Sequence, residues 1–214
     1  TAEEAVRFAF TSTEPSLRAS AVPYLDRLGA DHALELLAPV VAPPSADRDL
    51  ATVQAAYGAL AKIGSTAADE GIARGLKSLI EGTLPATLAL DVVTAAEQRA
   101  DAVPDLSAQL AEYRKRQPSA SPLSRYELAL QGGSSARGRA LFFEHPGVQC
   151  LRCHQVAAAG GTVGPKLDGI GKRRDRRYLL ESIVLPNQQY AEGFQPPPGT
   201  LSAMPEGLGD VLSR

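Results

Sequence analysis

Of the two cysteines and three histidines in this 214-residue chain, both cysteines and one histidine fall in a single stretch, CLRCH at residues 150–154. Two thiols at this spacing share one local turn, and an imidazole at the next position stays close to both. Covalent haem attachment asks for this set. The thiols reach the two vinyl groups of the porphyrin, and the following residue brings an imidazole nitrogen to the iron from one face. Cys150 and Cys153 are therefore the expected attachment residues for one haem c, and His154 the expected proximal iron ligand. A thioredoxin-like pair would sit between a strand and a helix in a βαβ unit, and no such setting is visible. A zinc site wants four ligands, and His32 lies far away in the chain. A structural disulfide is the plain alternative.

The flanks of the motif resemble class I cytochromes c. Upstream, SARGRALFFEHP (135–146) reads as a helix with Gly138 four residues before Phe142, the small and aromatic residues that in such proteins pack on a C-terminal helix. Downstream, GGTVGPKLDGIGKR (160–173) contains Gly164 and Pro165. The resemblance implies that the Pro165 carbonyl accepts from the ring N–H of His154, fixing its tautomer and ring plane. The single methionine, Met204 in TLSAMPEGL, follows His154 by 50 residues and precedes a proline. This spacing resembles that of the small class I proteins and makes Met204 the expected second iron ligand. A soft thioether there favours Fe(II) and raises the reduction potential. A core methionine is the other reading. His145 competes for the same place but lies too close to the attachment turn to reach the opposite face without strain.

Three longer stretches, GRALFFEHPGVQCLRCHQV, GGTVGPKLDGIGKRRDRRYLLESIVLPNQQYAEGF and SAMPEGL, resemble the C-terminal haem-binding domains of large secreted planctomycete and verrucomicrobial proteins. In that family, HEAT-like helices and a dehydrogenase-like propeller often precede the haem domain. The resemblance implies a periplasmic one-electron carrier that drains a dehydrogenase domain or partner. It departs from the family twice. A β-rich insert usual between the GF and SxMP motifs is missing between Phe194 and Ser202, and VLSR (211–214) stops where a terminal helix would begin.

The elements that must position these residues fall into two textures. Residues 1–118 read as helices joined by short turns. LRASAVPYLDRLG (17–29) is echoed 35 residues later by TVQAAYGALAKIG (52–64), each ending in glycine and each followed by a second helix, 30–41 and 67–80. A looser pair covers 86–99 and 103–117. The expected fold is all-α: a HEAT-like α-solenoid or helical-repeat domain over 1–118, a Pro- and Ser-rich linker over 119–133, and a small class I cytochrome c-like domain over 134–214. A non-repeating bundle is the alternative for the first part. The repeats carry no catalytic constellation and suit a protein partner.

A net charge of -2 gives no field that argues for nucleic acid or an anionic membrane surface, and no apolar run reaches the roughly 18–20 residues of a membrane span. The run KRRDRR (172–177) either steers an acidic partner or forms a solvated turn with its arginines paired to Asp175 or Glu181. A chain beginning at Thr1 reads as a processed or excised piece. Haem c attachment places the expected compartment outside the cytoplasm, in the periplasm. Two other functions stay open: a sensor or peroxidase-like protein whose sixth iron position is free, and an interaction protein in which haem is only a structural staple.

Overall fold

The computed structural model describes residues 1–42, 49–117 and 121–212. Residues 119 and 120 of the expected linker, and 213 and 214 of the terminal stretch, lie outside the described residues. The fold is mostly helical, and its chain forms two compact units. One comprises Thr1–Ser119 with Gln131–Gly133, the other Ala120–Leu130 with Ser134–Arg214. Among the described residues no helix is long and apolar enough to cross a membrane.

The first unit runs through α1 (Ala2–Phe10), α2 (Pro15–Ala21), a 3-10 segment (Val22–Leu28), α3 (Ala30–Val41), α4 (Leu50–Ile63), α5 (Thr66–Ile80), α6 (Ala89–Arg99) and α7 (Pro104–Lys115). Helix starts are marked by side chains that accept orphan backbone N–H groups: Thr1 with Glu4 in a capping box, Asp49 for α4 and Ser65 for α5. The two stretches of the 35-residue echo differ. The second is one continuous helix, α4, whereas the first changes from α to 3-10 after Ala21. Pro23 lacks the N–H that would continue the α-helical ladder, so the chain tightens there. The aligned pairs Ala21 and Ala56, and Leu25 and Leu60, are nevertheless buried in both stretches.

α4 packs against α2, α3, α5 and α6 and forms the middle of this core. Its contact with α5 is close because α5 presents glycines. A Cβ on Gly75 would lie 2.6 Å from the Tyr57 hydroxyl, and one on Gly71 3.2 Å from Leu60. Burial pushes the Tyr57 hydroxyl up to about pKa 12, with Arg74 opposing slightly. Two half-buried ion pairs brace the unit: Arg18 with Asp49 at 3.3 Å, and Arg99 held by both oxygens of Asp69 at 2.8 and 3.1 Å.

The second unit contains a 3-10 segment (Ser124–Leu130), α8 (Ser135–Glu144), a 3-10 turn (Cys150–Arg152), a hairpin of β1 (Gln155–Val156) and β2 (Ala159–Gly160), α9 (Ile170–Arg173), α10 (Arg176–Val184) and α11 (Leu208–Val211). Residues 124–130, within the stretch expected as linker, fold against α10. They bury Tyr126 and place Glu127 on Arg177 at 2.9 Å. Serine and proline composition pointed to a linker; the apolar residues Leu123 and Tyr126 decide the outcome. Gly138 of α8 has nothing within 4 Å of a Cβ built on it, and Phe142 instead makes an edge-on contact with Phe143 at 5.2 Å.

Candidate haem-attachment site

The attachment turn is shaped almost wholly by backbone. Gln149 takes a left-handed conformation at φ 48°, which turns the chain out of the preceding loop. Its side chain holds that shape, donating to the Pro146 carbonyl at 2.8 Å and accepting from Arg152 at 2.8 Å. The N–H groups of Cys153 and His154 both donate to the Cys150 carbonyl, at 3.2 and 2.9 Å. Cys150 and Cys153 thus stand on one helical turn, unbridged and half-buried. Burial raises the Cys150 thiol above its ordinary range, and the neighbouring Cys153 adds to the effect. At neutral pH it keeps its proton.

The hairpin after His154 folds the next loop back over this turn. Ala157 and Ala158 connect its strands with φ of 49° and 66°, the double left-handed turn that matches strand twist and that glycine or asparagine usually supplies. The Asp168 carboxylate accepts from the Ala157 N–H at 3.0 Å and so clamps the strained turn. That same bond holds the Asp168 carboxyl below the usual carboxylate range. Three glycines follow where no side chain fits. A Cβ on Gly160 would lie 2.1 Å from the His154 carbonyl oxygen, and one on Gly161 2.0 Å from that of Arg152. Both obstacles are backbone and do not yield. A Cβ on Gly164 would stand 2.7 Å from His154 Cε1, so the imidazole lies directly against this glycine. Backbone bonds from Gly161 to Leu151 and from Gly164 to Cys153, each 2.8 Å, and from Leu167 to Gln155 at 2.9 Å complete the wrap.

His154 Nδ1 lies 2.9 Å from the Pro165 carbonyl oxygen. A carbonyl only accepts, so Nδ1 carries an N–H, and in the neutral ring this leaves the lone pair on Nε2. Cys150, Cys153, His154 and Pro165 are therefore brought together. Met204 stands apart in sequence, half-buried on the loop after residue 200. Its N–H donates to Ser202 Oγ at 3.1 Å, and the Ser202 N–H donates to Asn187 Oδ1 at 2.7 Å, just beyond α10. His145 Nδ1 accepts from the N–H groups of Gly147 and Val148 at 3.1 and 3.2 Å, a turn-closing role.

The arginines of 172–177 are largely engaged inside this unit. Arg173 donates to the Asp168 carbonyl at 2.7 Å, Arg176 to that of Leu130 at 3.0 Å, and Arg174 lies over the Tyr178 ring at 4.8 Å. Arg177 pairs with Glu127 rather than with Asp175, which caps α10, or Glu181, which accepts from Gln189 at 3.1 Å. The hydrogen bond to Glu127 is also the main reason the Arg177 guanidinium is held more basic than usual.

The donor set fits a haem c. Two unbridged thiols share a turn, an imidazole offers a free Nε2, and the unit's apolar side chains are left without a core of their own. α8 and α10 bury no residue fully; Phe142, Phe143, Leu179, Leu180, Ile183 and Val184 are all half-buried. A flat apolar macrocycle is the kind of group such a cradle covers. Sequence reasoning missed Gly160, Gly161, Asp168 and Asn187; the paired glycines after the motif were the one signal that pointed to a close approach.

Comparison with known proteins assigns a family to this part of the chain. The family described as cytochrome c matches residues 135–210. The cytochrome c-553-like protein of Synechocystis sp. (strain ATCC 27184 / PCC 6803 / Kazusa) is 31% identical over 86 residues, which covers 40% of this chain and 70% of that protein. No solved structure gives a significant match. Through its C-terminal unit the chain belongs to the cytochrome c family, whose domain implies covalently bound haem c, iron binding and electron transfer.

Proposed function

We propose that the chain is a periplasmic electron carrier with one haem c, attached through Cys150 and Cys153 and ligated by His154 and Met204. The observation that carries this reading is the 2.9 Å bond between His154 Nδ1 and the Pro165 carbonyl. It fixes the tautomer whose Nε2 can bind iron, sets the ring plane, and strengthens the imidazole as a donor. Gly164 permits the ring to lie flat against the backbone. Each thiol S–H adds across one vinyl group: a C–S bond forms at one carbon, the hydrogen passes to the other, and no oxidant is consumed. Bound in this way, the haem supplies an iron that alternates between ferric and ferrous states. The half-buried apolar side chains of α8 and α10 limit water near it, and a thioether from Met204 favours the ferrous form.

The electron donor is a dehydrogenase domain or a redox partner protein. The architecture is that of the planctomycete and verrucomicrobial haem domains, with the helices of residues 1–118 as HEAT-like repeats that serve as an interaction scaffold. The 35-residue echo, with Ala21 and Ala56 and then Leu25 and Leu60 buried alike, supports the repeat. The test is an optical spectrum of the purified chain, oxidised, reduced, and then with carbon monoxide. Haem that survives acid–acetone extraction, gives sharp reduced bands and ignores carbon monoxide is the expected result. A large carbon monoxide shift would replace this reading with a sensor or peroxidase-like protein whose sixth position is open.

A further inference from the structure

We infer that Asn187 is the residue that positions Met204. The inference rests on Met204 being the second iron ligand. α10 ends at Val184, and the chain beyond it is fixed: the Leu185 N–H donates to the Glu181 carbonyl at 2.7 Å, Pro186 is buried, and the Gln188 N–H donates to the Leu185 carbonyl at 3.0 Å. Asn187 therefore projects from a firm platform. Its Oδ1 accepts from the Ser202 N–H at 2.7 Å, and its Nδ2 donates to Glu206 Oε1 at 2.5 Å. One side chain thus grips the chain two residues before Met204 and two residues after it. The Ser202 hydroxyl extends the grip inward by accepting the Met204 N–H at 3.1 Å.

No fully buried apolar side chain does this work instead. From residue 187 to 207 no residue is fully buried, Leu201 is 69% exposed, and Gly199 and Gly207 bracket the loop with φ of 80° and 76°. A loop without buried apolar contacts takes its position from its hydrogen bonds. The chemistry is particular to an amide. A backbone N–H only donates and a carboxylate only accepts, so the clamp needs one acceptor and one donor on the same short side chain. Aspartate would keep the bond to Ser202 and set a second negative charge against Glu206. Alanine would release both.

The test uses the full haem-loaded chain and its variants Met204→Ala, Asn187→Ala, Asn187→Asp and Asn187→Asp/Glu206→Gln. Imidazole affinity of the ferric protein and the long-wavelength band of thioether-ligated ferric haem are read together. Asn187→Ala is expected to tighten imidazole binding by about tenfold or more and to weaken the band, because two hydrogen bonds no longer hold the loop. Asn187→Asp is expected to do the same, and adding Glu206→Gln to restore most of the wild-type behaviour. Amide hydrogen exchange should accelerate at Ser202 and Met204 in Asn187→Ala while α10 stays protected. If Met204→Ala loses the band but Asn187→Ala leaves band, affinity and exchange unchanged, the positioning role is overturned while the ligand stands. If Met204→Ala leaves the spectrum intact, the ligand assignment itself fails and this inference falls with it.

Discussion

Two ways of holding a fold stand side by side in one chain. In the helical unit, α4 sits among four helices and the buried side chains interlock, Tyr57 against Gly75 and Leu60 against Gly71. In the haem unit, Leu123, Tyr126, Pro186 and Leu208 are the only buried residues among the described ones, and short backbone hydrogen bonds shape the rest. The first unit carries its own core. The second leaves most of its apolar side chains half-buried, and a bound group is how small domains with too little core commonly reach stability. The difference teaches where a substitution should be felt: as stability in one unit, as ligation and potential in the other.

The largest expected effect breaks the haem unit alone. Cys150→Ala/Cys153→Ala should abolish covalent haem and remove amide exchange protection from α8 and α10 while α4 to α6 keep theirs. Exchange mass spectrometry decides this, and equal losses in both units would end the distinction. Next, Ile72→Ala opens a cavity at a fully buried site and should cost the helical unit about 2–5 kcal/mol in urea unfolding. The reduction potential should not move.

A third test uses pH. The folded Tyr57 hydroxyl has its pKa raised to about 12 from the usual 10. Its protonated form therefore contributes stability that is complete below pH 10 and lost as pH rises through about 12. The loss is on the order of 2–3 kcal/mol. Tyr57→Phe should flatten that alkaline dependence, and an unchanged slope would refute the assignment. The smallest change is Gly164→Ala. Overpacking of this kind costs typically about 1–3 kcal/mol. Here the added methyl meets the His154 ring, so the first readout is a shifted potential and altered ligand spectrum.

The sequence was most readable where chemistry demands neighbours. Cys150, Cys153 and His154 fall within five residues, and two thiols and an imidazole at that spacing read directly as an expected attachment turn. Helix spans such as Ala30–Val41 were also legible, since apolar spacing and terminal glycines are local signals. The break at Pro23 was less so, because a buried Leu25 looks alike in either helix type. Pairings across the chain left no local trace. Arg177 reaches Glu127 over 50 residues, and Asn187 reaches Ser202 over 15 and Glu206 over 19. Two alanines in a double left-handed turn run against residue preference, and Asp168, 11 residues on, holds the first of them.

The bonds that shape the attachment turn have one further consequence, for the order of assembly. Each spans few residues: Gly161 to Leu151, Gly164 to Cys153, Leu167 to Gln155, and His154 to Pro165 across 11. Short loops close quickly and at small entropic cost. Every partner in these bonds lies between Cys150 and Leu167, so the turn can close without Asn187 or Met204. On the proposed reading, this turn would offer both thiols to the enzyme that delivers the porphyrin from local contacts alone, and Met204, held from farther along the chain, would join afterwards.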